Sequence, residues 1–275
     1  MTINCKGHLV DLSTPRVMGI LNITPDSFYE GSRMKGEEMI LMQAEKMLKD
    51  GADFIDIGGY SSRPDAEEVS EEEELKRVIP AIDLLVKHFP EILISIDTFR
   101  SKVAEKALEA GAAMVNDIAA GNLDSTMMEV VAKHQVPYIM MHMRGTPKTM
   151  KTLNQYEGDM TQEILYYFSE KINAARRLGI NDLIVDPGFG FSKNIEQNFE
   201  LLRKLELFKI LELPLLIGIS RKSLIYKSLG GEPADALNGT TVLNTVALTR
   251  GATILRVHDV KEAVECVKLV GRIKK

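Results

Sequence analysis

Polar and charged residues close apolar runs all along this chain. Asn22 ends "VMGILN", Asp56 lies in "DFIDIG", Asp97 ends "ILISID", and Asn116 and Asp117 end "AMVND". Farther on, His142 ends "PYIMMH", Asp186 lies in "DLIVDPG", and Ser220 ends "PLLIGIS" with Arg221 and Lys222 beyond it. Arg256 and His258 share "TILRVH". Such acids, amides and bases can pair with the edge of a heterocycle or grip a phosphate. Gathered at one rim, they would line a single concave site. Each also has a plainer reading. An Asp or Asn after a strand often caps the next helix, and Asp97, just ahead of "TFRSKVAEKAL", is the best candidate for that role. His142, in a methionine-rich run, reads equally as a ligand or a satisfied core histidine.

Other stretches point more firmly to ligand binding. Asp186 is followed by "PGFGF", where bare glycines let a flat ligand approach the backbone. "GISRKS" sets two cations and two hydroxyls at one strand end, which suits an anionic or carbonyl-bearing ligand. In "RVHD", Arg256 and His258 are two apart, so both point to the same side of a strand. "GGYSSRPD" supplies glycines, hydroxyls and Arg63 on a loop long enough to be a lid. The chain has no Gly-x-x-x-x-Gly-Lys-Ser/Thr phosphate loop.

The apolar runs must position these residues. All eight are short, with little polar alternation, as in strands buried on both faces of a parallel sheet. Helical stretches separate them. "GEEMILMQAEKMLKDGA" stops at Gly51, and "SEEEELKRVIPAIDLLVKHF" opens with Ser70 and Glu73 in capping-box spacing. The run Glu71 to Glu74 reads as a solvated first helical turn; Cys266 and the methionines read as packing residues. Eight strand-helix units over 275 residues suggest one closed (β/α)₈ TIM barrel, a single domain spanning 1–275. A doubly wound open sheet is the alternative, since strand count does not prove closure. "TINC" and "HLVDL", flanking Lys6 and Gly7, predict a hairpin covering the barrel bottom.

Composition narrows the classes. A net charge of −5 argues against general nucleic-acid binding, which favours a basic face. No apolar run approaches the roughly 20 residues that span a bilayer, and the amino terminus lacks a signal-peptide core. Cys5 and Cys266 lie far apart, so reduced thiols and a cytoplasmic location are expected.

Taken in order, "GILNITPDSF", "DIGGYSSRP", "ISIDTFR", "VNDI", "MHMRGTPKTM", "DPGFGF", "GISRKS" and "GTTVLNTVALTRGATILRVHDV" resemble the dihydropteroate synthase family of pterin-binding barrels, the targets of sulfonamides. The likeness covers nearly the whole chain. It implies transfer of 6-hydroxymethyl-7,8-dihydropterin from its diphosphate to para-aminobenzoate, giving 7,8-dihydropteroate for folate biosynthesis. It implies a pterin pocket of Asp97, Asn116, Asp186 and Lys222, with Arg256 against the ring face. Ser62, Arg63 and His258 match positions that hold the diphosphate or the loops over it. Phe28, Pro64, Gly190 and Phe191, beside Ser223, would form the aminobenzoate slot. Asn22 matches a Mg²⁺ ligand, with "TPDSFYEG" as a mobile loop, and Arg63, Lys222, Arg256 and His258 would be catalytic. A homodimer through helices of the later half is also implied.

The sequence departs from the commoner family pattern at Tyr60, Ser61 and Ser62, where Glu-Ser-Thr is frequent, and at Asp65 and Ser192, where Gly is usual. Two rival readings share the ring pocket: a methyltransferase acting on methyltetrahydrofolate and a corrinoid, and a non-catalytic pterin-binding protein. "NITPDSF" and "SSRP" favour the synthase over the first, since a methyltransferase needs no diphosphate lid. The set Asn22, Arg63, Lys222 and His258 speaks against the second.

Overall fold

Short, doubly buried strands joined by amphipathic helices can satisfy their edges by closing on themselves. That is what the chain does in a computed structural model describing residues 1–23, 33–60 and 69–273. The barrel strands are β3 (Arg16–Asn22), β4 (Phe54–Gly58), β5 (Ile94–Asp97), β6 (Met114–Asp117), β7 (Tyr138–Met141), β8 (Leu183–Asp186), β9 (Leu216–Ile217) and β10 (Ile254–Val257). They run parallel in the order β8-β7-β6-β5-β4-β3-β10-β9. A parallel bridge from Val185 to Leu215 joins the two ends, with Val185 N–H donating to Pro214 O at 3.0 Å. The sheet is a nearly closed barrel, and the open-sheet alternative is set aside.

Helices fill the crossovers: α1 (Arg33–Asp50), α2 (Glu71–His88), α3 (Ser101–Ala110), α4 (Met127–His134), α5 (Met160–Arg177), α6 (Ile195–Arg203), α7 (Ser223–Leu229), α8 (Leu237–Thr249) and α9 (Val260–Ile273). Ser70 caps α2 by accepting from Glu73 N–H at 3.2 Å, while the Glu73 carboxylate accepts from Arg77 one turn on. The expected solvated glutamate turn is corrected at Glu74, which is buried and accepts from Arg100 Nη1 at 2.5 Å. Met39 and Met42 are exposed rather than packed; Ile40 and Ala44 form the inner stripe of α1.

Alternation along the strands builds the site. Ile55 and Ile57 of β4, and Ile94 and Ile96 of β5, face the helices in the main hydrophobic cluster. The intervening residues face inward. Met18, Phe54, Met114, Ile139, Ile184, Leu216 and Ile254 make an apolar layer low in the barrel. The predicted hairpin, β1 (Thr2–Cys5) and β2 (His8–Asp11), adds Ile3 and Cys5 to that layer and covers the bottom. Two residues farther along β4, β6, β8 and β10 stand Asp56, Asn116, Asp186 and Arg256. A dry floor thus lies beneath a polar mouth.

Candidate active site

Arg256 ties the mouth together from β10. Its Nε donates to Asp56 Oδ2 at 2.6 Å, and its Nη2 to Asp97 Oδ2 at 2.5 Å. The same Asp56 oxygen accepts from Asn116 Nδ2 at 3.1 Å. Asp56 is fully buried. Burial would weaken the charge on Arg256, but Asp56 and Asp97 outweigh it and hold the guanidinium protonated. Burial pushes the Asp97 carboxyl up to about 7, against the opposing pull of Arg256.

Strand register aligns further polar groups at the mouth. Asn22, Gly58, Asp97 and Asn116 stand opposite one another across β3 to β6. A Cβ on Gly58 would lie 3.8 Å from both Asn22 Oδ1 and Asp97 Oδ2, so the bare glycine keeps space open between them. Asp97 does not take the helix-capping role its sequence context suggested. Asp124 does so instead, accepting from Ser101 N–H at 2.7 Å, because Arg256 already engages Asp97.

Across the mouth, Asp186 and Lys222 surround a second bare position. A Cβ on Gly218 would lie 3.9 Å from Asp186 Oδ2 and 3.9 Å from Lys222 Nζ. Asp186 Oδ1 accepts from Gly188 N–H at 2.8 Å; burial raises its pKa, opposed chiefly by Lys222. Burial pulls the Lys222 ammonium down to about 8, opposed by Asp186. Lys222 Nζ donates to Phe189 O at 2.5 Å and sits 4.7 Å from the Phe191 ring centroid. Gly190 lies beneath the same stem, since a Cβ there would stand 3.1 Å from Lys222 Cδ. Ser223 follows directly as the first residue of α7. A flat ring between Asp186, Lys222, Asp97 and Asn116 would meet acceptors on one edge and a cation on another.

His258 stands at the exposed end of β10, where Ser220 fixes its ring. Ser220 Oγ accepts from His258 N–H at 3.1 Å and lies 3.0 Å from Nδ1. Arg221 is diverted from the mouth, making two 2.8 Å bonds to the Asp259 carboxylate. Only one cation of "GISRKS", Lys222, therefore reaches the mouth. Phe28, Ser62, Arg63 and Pro64 lie outside the described residues.

The sequence reading gives Asp56 and His142 no settled role and does not single out Lys193. Asp56 is the shared acceptor of Arg256 and Asn116; its position two residues beyond an inward apolar residue was an available signal. Lys193 and His142 form a buried pair behind the site, with Nζ 3.2 Å from Nδ1. Burial and Lys193 push the His142 pKa well below its ordinary value, so this histidine is a neutral, partnered core residue.

A model of the pterin binding enzyme family matches residues 18–258. Over 272 residues the chain is 42% identical to dihydropteroate synthase of Escherichia coli (strain K12), covering 98% of this chain and 95% of the relative. A crystal structure of Yersinia pestis dihydropteroate synthase with a sulfonamide drug complex superposes at a TM-score of 0.91 and 41% identity, over 100% of this chain and 99% of that one. The Xanthomonas albilineans synthase with 4-aminobenzoic acid gives 0.90 at 38% identity, over 99% and 98%.

Proposed function

We propose that this chain, which belongs to the pterin-binding enzyme family, uses its barrel mouth to join 6-hydroxymethyl-7,8-dihydropterin diphosphate to para-aminobenzoate. Dihydropteroate synthesis is the activity named for its relatives, and one observation carries it here. Asp97, Asn116, Asp186, Lys222 and Arg256 come from five places in the chain yet lie close together at one end of the barrel: Arg256 bonds Asp97, Asn116 stands opposite Asp97, and Gly218 is flanked by Asp186, Lys222 and Arg256.

In this reading Asp186 accepts from the amino-pyrimidine edge of the pterin and Lys222 donates to its oxo side. Rings lacking those groups would leave buried polar atoms unpaired and be rejected. Arg256, held in place by Asp56 and Asp97, presents its guanidinium to the ring face. The C–O bond between the pterin methylene and diphosphate breaks, with the ring nitrogen supplying electron density. The aromatic amine forms the new C–N bond and releases its proton to solvent. The aminobenzoate amine is neutral near pH 7, so no strong base is required. Arg63 and His258 stabilise the departing anion, and Ser62 helps hold it. Phe28, Pro64, Gly190, Phe191 and Ser223 form the aminobenzoate slot.

Asn22 fits a Mg²⁺ ion: it offers an exposed hard amide oxygen, and Gly58 leaves room beside it. No cluster of three acidic, histidine or cysteine ligands occurs among the described residues, so diphosphate oxygens and water would complete the shell. When bound, Mg²⁺ would neutralise charge on the leaving diphosphate. No described helix is long and apolar enough to cross a membrane. With Cys5 and Cys266 both free, the reading places the enzyme in the cytoplasm. Exposed Leu229 of α7 and Val242 of α8 support a homodimer through the later helices, which sedimentation can check.

The deciding assay combines the pterin diphosphate, aminobenzoate and Mg²⁺. Equal release of diphosphate and dihydropteroate is expected; a folded sample giving neither product refutes the reading.

A further inference from the structure

We propose that Lys193 is a positioning residue for the aminobenzoate slot, holding from behind the turn that carries Gly190 and Phe191. The inference rests on the slot assignment made above. The Lys193 side chain is buried, and its Nζ reaches three acceptors: Gly188 O at 3.0 Å, Phe191 O at 3.0 Å and His142 Nδ1 at 3.2 Å. An ammonium has three N–H donors and no acceptor, so donors and acceptors match in number.

His142 must then offer a bare Nδ1, consistent with its strong bias toward the neutral form. Its ring is braced edge-on against Tyr167, with centroids 5.0 Å apart. From the opposite side, Lys222 takes Phe189 O. Two lysines thus hold three carbonyls of one four-residue turn, one from within the protein and one from the mouth.

Further contacts on the turn come from its backbone N–H groups. Asp186 takes Gly188 N–H, and Asn198 Oδ1 takes Gly190 N–H at 2.7 Å. Gly188 has φ +74, and a Cβ there would stand 2.1 Å from His142 O. The turn therefore presses on the very segment whose imidazole accepts from Lys193. Removing the ammonium frees two backbone carbonyls and the imidazole together. The charged groups acting on Lys193 are Asp186, Lys222 and Arg144. Only Asp186 favours its protonated form, while burial draws its pKa down to about 7.

The test uses Lys193→Met, which keeps the length of the stem and removes all three donors. Steady-state kinetics should show KM for aminobenzoate raised about tenfold, with kcat at saturation and KM for the pterin diphosphate each within about threefold of wild type. A packing role alone would lower the folded fraction without this split. A crystal structure of the variant should show Phe191 displaced from its place beside Lys222. If Lys193→Met does not fold, Lys193→Gln retains two donors on a shorter stem and should give an intermediate KM. Wild-type KM for aminobenzoate in the folded variant, or an unmoved turn, overturns the proposal. A wild-type enzyme making no dihydropteroate would instead refute the slot assignment, while the crystal structure would still decide whether Lys193 sets the turn.

Discussion

Arg256 Nε and Asp56 Oδ2, separated by 200 positions in sequence, lie 2.6 Å apart at the barrel mouth. Asp56 is fully buried and the Arg256 side chain is 19% exposed, so solvent does little to screen them. Replacing Asp56 with Ala leaves Arg256 with one carboxylate instead of two. Breaking a buried pair in this way costs about 3 kcal/mol. Chemical denaturation should show that loss, and turnover should fall at least tenfold because the guanidinium is no longer fixed against the ring.

Asp186→Asn tests the pterin edge. The charged acceptor becomes an amide that presents a donor to at least one ligand N–H. Pterin binding should weaken by more than about 1 kcal/mol, or roughly fivefold. Titration calorimetry with the pterin alone measures this; unchanged affinity would remove Asp186 from the pocket.

Asn22→Ala should separate the two ends of the pterin substrate. The apparent requirement for Mg²⁺ should rise severalfold in steady-state assays, with affinity for a pterin lacking diphosphate unaffected. Equal losses for both would contradict a role confined to the metal and phosphates.

Two pKa values set a pH window for pterin binding. Asp97, pushed up to about 7, must ionise to accept from the ring, so affinity falls as pH drops through that value. Lys222, pulled down to about 8, must stay protonated to donate, so affinity falls again as pH rises through it. Asp97→Asn should reduce the acidic limb to the part contributed by Asp186, whose pKa burial also raises, and keep the alkaline one. For stability the sign of the Asp97 effect reverses. The folded state binds this proton more tightly than the unfolded state, so its contribution declines as pH rises from about 4 to 7. Thermal unfolding of the ligand-free protein, wild type against Asp97→Asn, reads that slope.

Ser192 occupies a left-handed conformation, φ +49, a region that favours glycine. Its hydroxyl accepts from Arg144 N–H at 2.9 Å and donates to Arg144 O at 3.0 Å. The left-handed backbone costs about 1–2 kcal/mol, comparable to two hydrogen bonds. Ser192→Ala loses the bonds and keeps the strain, so it should be destabilised by about 1–2 kcal/mol. Ser192→Gly also relieves the strain and should remain within about 1 kcal/mol of wild type in a denaturant melt. The reverse order would show that the hydroxyl does not offset the backbone.

Sequence alone determined the series of eight strands, the bottom hairpin and the polar residues at the strand ends, because alternation and strand burial are local properties of the chain. The family motifs likewise placed Asp97, Asn116, Asp186, Lys222 and Arg256 in one region. Which polar group serves the pocket and which serves the scaffold depended on tertiary structure. Arg221 and Lys222 are adjacent, yet one is bound by Asp259 and the other reaches Phe189 O at the mouth. Asp97 turned from a helix cap to an ion pair because Arg256 arrives across the barrel, while Asp124 supplies the cap. Lys193 had no sequence signal, since its three acceptors meet only when the loop after β8 folds against the end of β7. These choices require ring closure and side-chain direction, and neither is encoded by the spacing of a single segment.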